Sequence, residues 1–294
     1  MKITNKFNLP EPIVAYATND QYSKGSADMS VTEIIAPPRV QCLRRKHWAE
    51  MEQDVSDKIW SMVGTAIHNI AESKAVEGHT SEERLFVEVD GITLSGAIDL
   101  QRQHDGGIEI TDYKFTSVWS VMSDKPEWEQ QQNIYAWMVE KVKGIQVSGI
   151  RICAVLRDWS RREAEYKADY PKSPIIVVDL PVWGFEKTDQ YVKTRVELHR
   201  QAKVSADWSE ELPLCSDADR WVRPTSYAVK KEGAKRALKV FEIKEEAEAL
   251  AKETPKASVE VREGESIRCT GNYCGVAQWC SQYQAVQSIK QEQL

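Results

Sequence analysis

The strongest constraint in this 294-residue sequence is a pair of aspartates placed across a hairpin. Three strand-like stretches follow one another, Val87 to Leu94, Gly96 to Leu100 and Ile108 to Lys114, the first containing Asp90-Gly91 and the last two separated by His104-Asp105-Gly106-Gly107. Asp-Gly favours a two-residue hairpin turn. With Asp105-Gly106 as the turn, paired positions sum to 211, as Asp99 and Asp112 do. Their carboxylates then face each other, Cβ atoms roughly 5 Å apart, and Lys114 shares that face. A turn on Gly106-Gly107 would set Asp99 opposite Lys114 and still keep all three together. A slip of one residue would scatter them. Facing carboxylates repel unless a cation lies between them. A divalent metal with oxygen ligands suits that gap, and a nearby lysine suits a phosphate or a bound water.

Asp99, twelve intervening residues and then Asp112-Tyr113-Lys114 resemble the PD-(D/E)xK nuclease signature. Upstream, Gly64-Thr65-Ala66-Ile67-His68 resembles the Gly-x-x-x-His helix of the RecB and lambda-exonuclease branch. Downstream, Gln131-Gln132-Asn133-Ile134-Tyr135 resembles its Gln-x-x-x-Tyr helix. The elements stand in the family's order. The resemblance implies Mg²⁺ or Mn²⁺ held by Asp99, Asp112, the Tyr113 carbonyl and His68. It also implies that Lys114 orients or activates the attacking water, and that Gln131 and Tyr135 meet the substrate strand. A neutral imidazole at His68 suits Mn²⁺ better than Mg²⁺. The Asp90-Gly91 turn pairs positions summing to 181, which sets Glu82 opposite Asp99. The family often has an acidic residue here. A bulge would hand the role to Glu83, and Glu82, Glu83 and Glu88 each also read as solvated surface.

The order of elements predicts an α/β or α+β core, a mixed sheet flanked by helices. Helices are expected over Val40–Met51, Ile59–Ala75, Pro126–Lys143 and Phe185–Lys203, with strands at Val147–Leu156 and Ile175–Leu180. Residues 1–30 read as an extended or poorly ordered lead-in, 31–205 as the nuclease core and 206–294 as a C-terminal appendage. At 29% charged and 41% hydrophobic, with no apolar run of membrane-spanning length, the chain is expected to be soluble. Its start, Met1 to Lys6, has no apolar signal region, which points to the cytoplasm. A net charge of −6 argues against a protein that coats nucleic acid, though not against an enzyme with one basic cleft. Candidate phosphate grips are Arg157 with Arg161 and Arg162, Lys230 to Lys239, and Arg44-Arg45-Lys46. Each also reads as a solvated face.

Six cysteines in a cytoplasmic chain argue against a disulfide framework. Cys269, Cys274 and Cys280 crowd the C-terminus, and on residue type alone they suit a structural zinc. RecB-type nucleases with such a trio use it to hold a 4Fe–4S cluster, so the resemblance implies that cofactor, with Zn²⁺ the alternative. The fourth ligand is Cys215 or Cys42. Cys215 sits before a predicted helix start, where free N–H groups favour a thiolate, and it is the chosen candidate. Cys42 lies within a charged helix, and Cys153 reads as an inert core thiol.

The resemblance implies a metal-dependent deoxyribonuclease acting on DNA ends. The resemblance is greatest to phage or prophage recombination exonucleases, which work beside a single-strand annealing protein, and a homo-oligomer is a further expectation. A CRISPR-adaptation nuclease, a structure-specific endonuclease and an inactive DNA-binding scaffold are the rivals. The intact Asp-Asp-Lys set speaks against the last.

Overall fold

The computed structural model describes residues 1–19, 24–73, 76–104, 106–207 and 211–292. By packing, Met1–Ala36 with Trp48–Ser209 form one unit, and Pro37–His47 with Glu210–Leu294 form another. The chain begins with β1 (Lys2–Thr4), α1 (Glu11–Thr18), β2 (Met29–Ser30), α2 (Val31–Ile35), α3 (Pro38–Lys46), β3 (Glu52–Asp54) and α4 (Ile59–Glu72). Next come β4 (His79–Val89), β5 (Ile92–His104), β6 (Gly107–Thr116), α5 (Val118–Met122) and α6 (Pro126–Lys143). Then follow β7 (Val147–Leu156), α7 (Arg161–Tyr166), β8 (Ile175–Leu180) and α8 (Phe185–Asp207).

Among the described residues of 1–30, β1 and α1 stand where an extended or poorly ordered lead-in was expected from polarity. Their polar side chains make structural bonds: Asp54 accepts from Thr4 Oγ1 at 2.9 Å and from the Lys6 N–H at 2.8 Å. Those bonds fasten β1 alongside β3 in parallel.

Among the described residues, the first unit has a six-stranded sheet in the order β2-β5-β6-β7-β8, with β4 also paired to β5. The β4–β5, β5–β6 and β7–β8 ladders are antiparallel, and β2–β5 and β6–β7 are parallel. This is the expected mixed sheet. Asp90 and Gly91 both have positive φ, 50° and 77°, the two-residue turn whose twist matches that of its strands. The turn sets the β4–β5 register from Val89↔Ile92 to Glu83↔Ile98.

Pro126 opens α6, with Glu127 and Glu129 in the first turn and Lys141 and Lys143 in the last, all favourable to the helix dipole. Gln131 to Val139 are buried without a break, so the helix runs through the core. Ile134, Trp137, Met138 and Val139 pack against the sheet, closed in by Val31 and Ile34 of α2 and Val192 and Val196 of α8. Each large aliphatic buried this way contributes about 1.5–3 kcal/mol. Gly96 permits the close approach, because a Cβ there would lie 2.8 Å from Tyr135 Cε1 and 2.9 Å from Met138 Sδ.

The second unit continues with α9 (Asp217–Arg220), β9 (Val222–Arg223), β10 (Ser226–Lys231), β11 (Lys239–Phe241), α10 (Lys244–Glu253), β12 (Ala257–Arg262), β13 (Glu265–Ser266), α11 (Ile267–Thr270) and α12 (Ser281–Glu292). The strands β11, β10 and β12 form an antiparallel sheet, and β9 pairs with β13. Helix α3 packs in this unit, although in sequence it falls inside the stretch 31–205. Among the described residues no helix is long and apolar enough to cross a membrane.

Candidate functional site

The β5–β6 ladder runs from His104↔Gly107 to Leu100↔Thr111, with paired positions summing to 211 throughout. Gly106 lies within the turn, and Asp105 lies outside the described residues. The ladder stops one step short of Asp99 and Asp112. Beyond that step β6 stays paired with β7 as far as Thr116↔Leu156, while β5 is flanked by β2 at Leu94 and Ser95. Two neighbouring strands thus part at the two aspartates. Asp99 Oδ2 fills the gap in the ladder by accepting the Tyr113 N–H at 2.8 Å.

His68 on α4, Glu82 on β4 and Asp99 on β5 each offer a ligand atom, and these lie within 4.8 Å of one another. His68 Nδ1 is 3.3 Å from Glu82 Oε1 and 3.6 Å from Asp99 Oδ2. Its Nε2 lies 3.2 Å from the Tyr113 carbonyl, which can only accept, so that nitrogen carries the proton. Glu82 has φ 52°, a left-handed backbone rare in a non-glycine residue. It stands between the pairs Ser81↔Leu100 and Glu83↔Ile98, opposite Asp99. Paired positions sum to 181 on both sides of Glu82, so no residue is inserted there and only the Glu82–Asp99 pairing itself is interrupted. Glu83 turns elsewhere, pairing with Lys143 and accepting from Gln101 Nε2. Glu88 is exposed.

Asp112 is 2% exposed and stands outside that three-residue group. Gln132 Nε2 donates to its Oδ1 at 3.1 Å. Lys114 Nζ lies 2.6 Å from its Oδ2 as an ion pair, yet at an angle that leaves this buried oxygen without a hydrogen bond. A buried, under-satisfied carboxylate oxygen beside a His/Glu/Asp group is a donor set suited to a divalent cation. Burial and then the Asp112 charge push the Asp99 carboxyl up to about 7. The hydrogen bond to Glu82 raises the His68 imidazole against the effect of burial.

Gln131 and Tyr135 are both buried, and Gln131 Nε2 donates to Tyr135 Oη at 2.9 Å. The glutamine that reaches an aspartate is the next one, Gln132. Adjacent glutamines on a buried helix give the same sequence signal, so nothing in the sequence singled out Gln132.

In the second unit Cys215, Cys269, Cys274 and Cys280 line one cavity of about 20 Å³, together with Arg39 and Arg220. That free space suits one ion or water. Among the described residues no three of the sulfurs gather within 4.8 Å, wider than the roughly 3.8 Å expected between thiolates on a tetrahedral zinc with bonds of about 2.3 Å. The volume favours a single ion and the spread a larger group. Four thiols on one cavity fit a thiolate-held metal either way. Cys42 is buried, with its sulfur 3.5 Å from Arg45 Nη2, and does not line the cavity.

Several N–H groups around the helix start beside Cys215 already have partners. Gln282 Oε1 accepts from the Cys215 N–H at 2.8 Å, and Asp219 Oδ2 from the Ser216 N–H at 3.0 Å. Burial, with Asp219 and Cys280 adding to it, pushes the Cys215 thiol up to about 12. A bound cation is then what would hold it as a thiolate. Arg39, 2% exposed, bonds the carbonyls of Leu212 and Pro213 at 2.6 and 3.0 Å, just before Cys215, and lies 3.9 Å from Cys280 Sγ. Cys153 sits half-buried in β7, and burial raises its thiol pKa.

The basic candidates lie on exposed surface at Arg44, Arg45, Lys46, Arg157, Arg161, Arg162, Lys231, Lys235, Arg236 and Lys239, whereas Lys230 pairs with Glu260.

No curated protein matches the chain. Among solved structures, SSO0001 is 13% identical over 71% of this chain and 86% of its own, with a TM-score of 0.43. A Eubacterium rectale protein provisionally described as an exonuclease is also 13% identical, over 59% and 64%, with a TM-score of 0.30. Likenesses this remote carry no argument. The sequence itself does: a family model described as the PD-(D/E)XK nuclease superfamily matches residues 26–281. That match takes in the parted strands, the buried aspartates and the cysteines, and the chain belongs to the PD-(D/E)XK nuclease superfamily.

Proposed function

We propose that this chain is a Mg²⁺- or Mn²⁺-dependent deoxyribonuclease of the RecB-like, lambda-exonuclease-like branch that degrades DNA from its ends. Superfamily membership implies a metal-dependent nuclease. The observation that carries the site assignment is the meeting of His68, Glu82 and Asp99 within 4.8 Å, beside Asp112 and Lys114, where β5 and β6 part. Asp99, Asp112, Glu82 and His68 would hold the cation, with the Tyr113 carbonyl at its edge. Bound there, a divalent cation supplies charge neutralisation at the scissile phosphate.

Lys114 presents an ammonium group to the water and phosphate, and Asp112 fixes its place. Gln132 in turn fixes Asp112. Gln131 and Tyr135, bonded to each other, brace the same helix and meet the substrate strand. The second unit holds a 4Fe–4S cluster on Cys215, Cys269, Cys274 and Cys280, a reading supported by the resemblance and by the spread of the sulfurs. The small cavity favours the second reading, a structural Zn²⁺ on the same residues. A role in phage recombination beside a single-strand annealing protein rests on the resemblance.

End-labelled linear DNA and covalently closed circles, incubated with Mg²⁺ or Mn²⁺, test the proposal. Linear DNA should shorten progressively while circles persist. Lys114→Ala should abolish cleavage while DNA binding stays within a few-fold. Discrete fragments from circles would overturn the end requirement, and near-normal cleavage by Lys114→Ala would overturn the role of the lysine.

A further inference from the structure

Helix α4 places Trp60, Gly64 and His68 at i, i+4 and i+8, one stripe along its surface. His68 ends that stripe in the candidate metal group. Trp60 begins it, eight residues away or about 12 Å along the axis. The helix is strongly amphipathic, yet none of its residues is buried, and Trp60 itself is 52% exposed. Between the two ends, a Cβ added at Gly64 would meet nothing within 4 Å, so the stripe is open.

Trp60 has specific company. The Phe115 ring lies 6.1 Å from it, centroid to centroid, and the Arg157 Cζ sits 4.9 Å from its ring centroid. Phe115 follows Lys114 directly in β6, and the Arg157 N–H donates to the Thr116 carbonyl at 2.9 Å. The strand that carries the lysine therefore borders this cluster, with Phe115 alternating to the face opposite Lys114. Among the described residues Arg157 forms no ion pair with a carboxylate, which leaves its guanidinium charge for an anion.

We infer that Trp60, flanked by Phe115 and Arg157, is a nucleobase-stacking platform on the path of the DNA strand to the metal group. The indole takes the face of one unpaired base, and the guanidinium takes the adjoining phosphate. Any base has a π-face, so the platform serves a nuclease that does not read sequence. The 12 Å separation spans at most about four nucleotides at the 3.4 Å rise of a duplex strand. The substrate must then be single-stranded within that distance of the scissile bond, and a duplex end must fray to reach it. This inference rests on the nuclease reading above.

Binding separates the two. Single-stranded oligonucleotides, each with one abasic residue at a successive position from the end, are titrated by fluorescence anisotropy into the full chain carrying Lys114→Ala, with Ca²⁺ present. One abasic register should weaken binding about 5- to 150-fold, the loss of one stacked base. Adding Trp60→Ala should weaken binding of the intact strand by a similar factor and flatten the abasic profile, and Trp60→Phe should restore most of it. A profile that is flat from the outset, or one that survives Trp60→Ala, overturns the platform. Cleavage of end-labelled DNA by the wild-type chain tests the nuclease reading separately, since binding is measured without it.

Discussion

Replacing Asp99 by Asn in the metal-free protein removes a charge that the fold holds at a cost. The carboxyl rises from an ordinary 3.8 to about 7, through burial first and the Asp112 charge second. Because the folded pKa is the higher one, the native state binds the proton more tightly than the unfolded chain does. Stability therefore falls as pH rises from about 4 to about 7, and the full cost is present above that window. At about 1.36 kcal/mol per pH unit the limit is about 4 kcal/mol at pH 8 and somewhat under half of that at pH 5. Asp112 shares the strain and the His68 charge opposes it, so about 1–2 kcal/mol should be recovered by the single substitution. Asn can still accept the Tyr113 N–H, so little is lost in exchange. Thermal unfolding in EDTA should show Asp99→Asn melting about 2–3 °C above wild type at pH 8, with a clearly smaller gain at pH 5. Mn²⁺ should then raise the wild-type melting temperature and leave the variant nearly unmoved. An Asn variant less stable than wild type at pH 8, or equally stabilised at both pH values, would refute the reasoning.

Glu82→Gly should cost the metal-free protein almost nothing, since relief of the left-handed backbone offsets about 1 kcal/mol. It should nonetheless weaken Mn²⁺ binding at least about tenfold by titration calorimetry, and unchanged binding would remove Glu82 from the ligand set. Protein purified without oxygen should be brown, absorbing near about 400 nm, and Cys215→Ser but not Cys42→Ser should lose its metal. Colourless protein with one zinc per chain would replace the cluster by the ion, and metal loss from Cys42→Ser alone would reverse the choice of fourth ligand.

Much of the architecture was legible because local signals agreed with each other. Two Asp-Gly turns predicted both hairpin registers, and α6, β7 and β8 have the bounds read from periodicity and punctuation. Glu82 opposite Asp99 followed from the same counting. Its left-handed backbone did not, because no propensity marks a glutamate for that conformation. The parting of β5 and β6 was hidden too. Past it, β5 pairs with β2, a two-residue strand with almost no sequence signal. The polar lead-in misled because its side chains bond backbone and each other, where a count of polarity reads only solvent. Trp60 was passed over because a tryptophan in an amphipathic helix ordinarily belongs to a core.

The second unit is assembled from chain segments made far apart in time. Helix α3 leaves the ribosome early, while the cysteines and helices it packs with lie beyond residue 210. At about 5–20 residues per second its buried face of Val40, Cys42 and Leu43 waits on the order of ten seconds for cover. The first unit can condense meanwhile, since Met1–Ala36 and Trp48–Ser209 hold its whole sheet. Completion of the cavity that unites Arg39 with Cys215, Cys269, Cys274 and Cys280 thereby waits until Cys280 has been made, and a nascent chain arrested before residue 210 carries a charged helix whose one apolar face is uncovered and invites chaperones or aggregation.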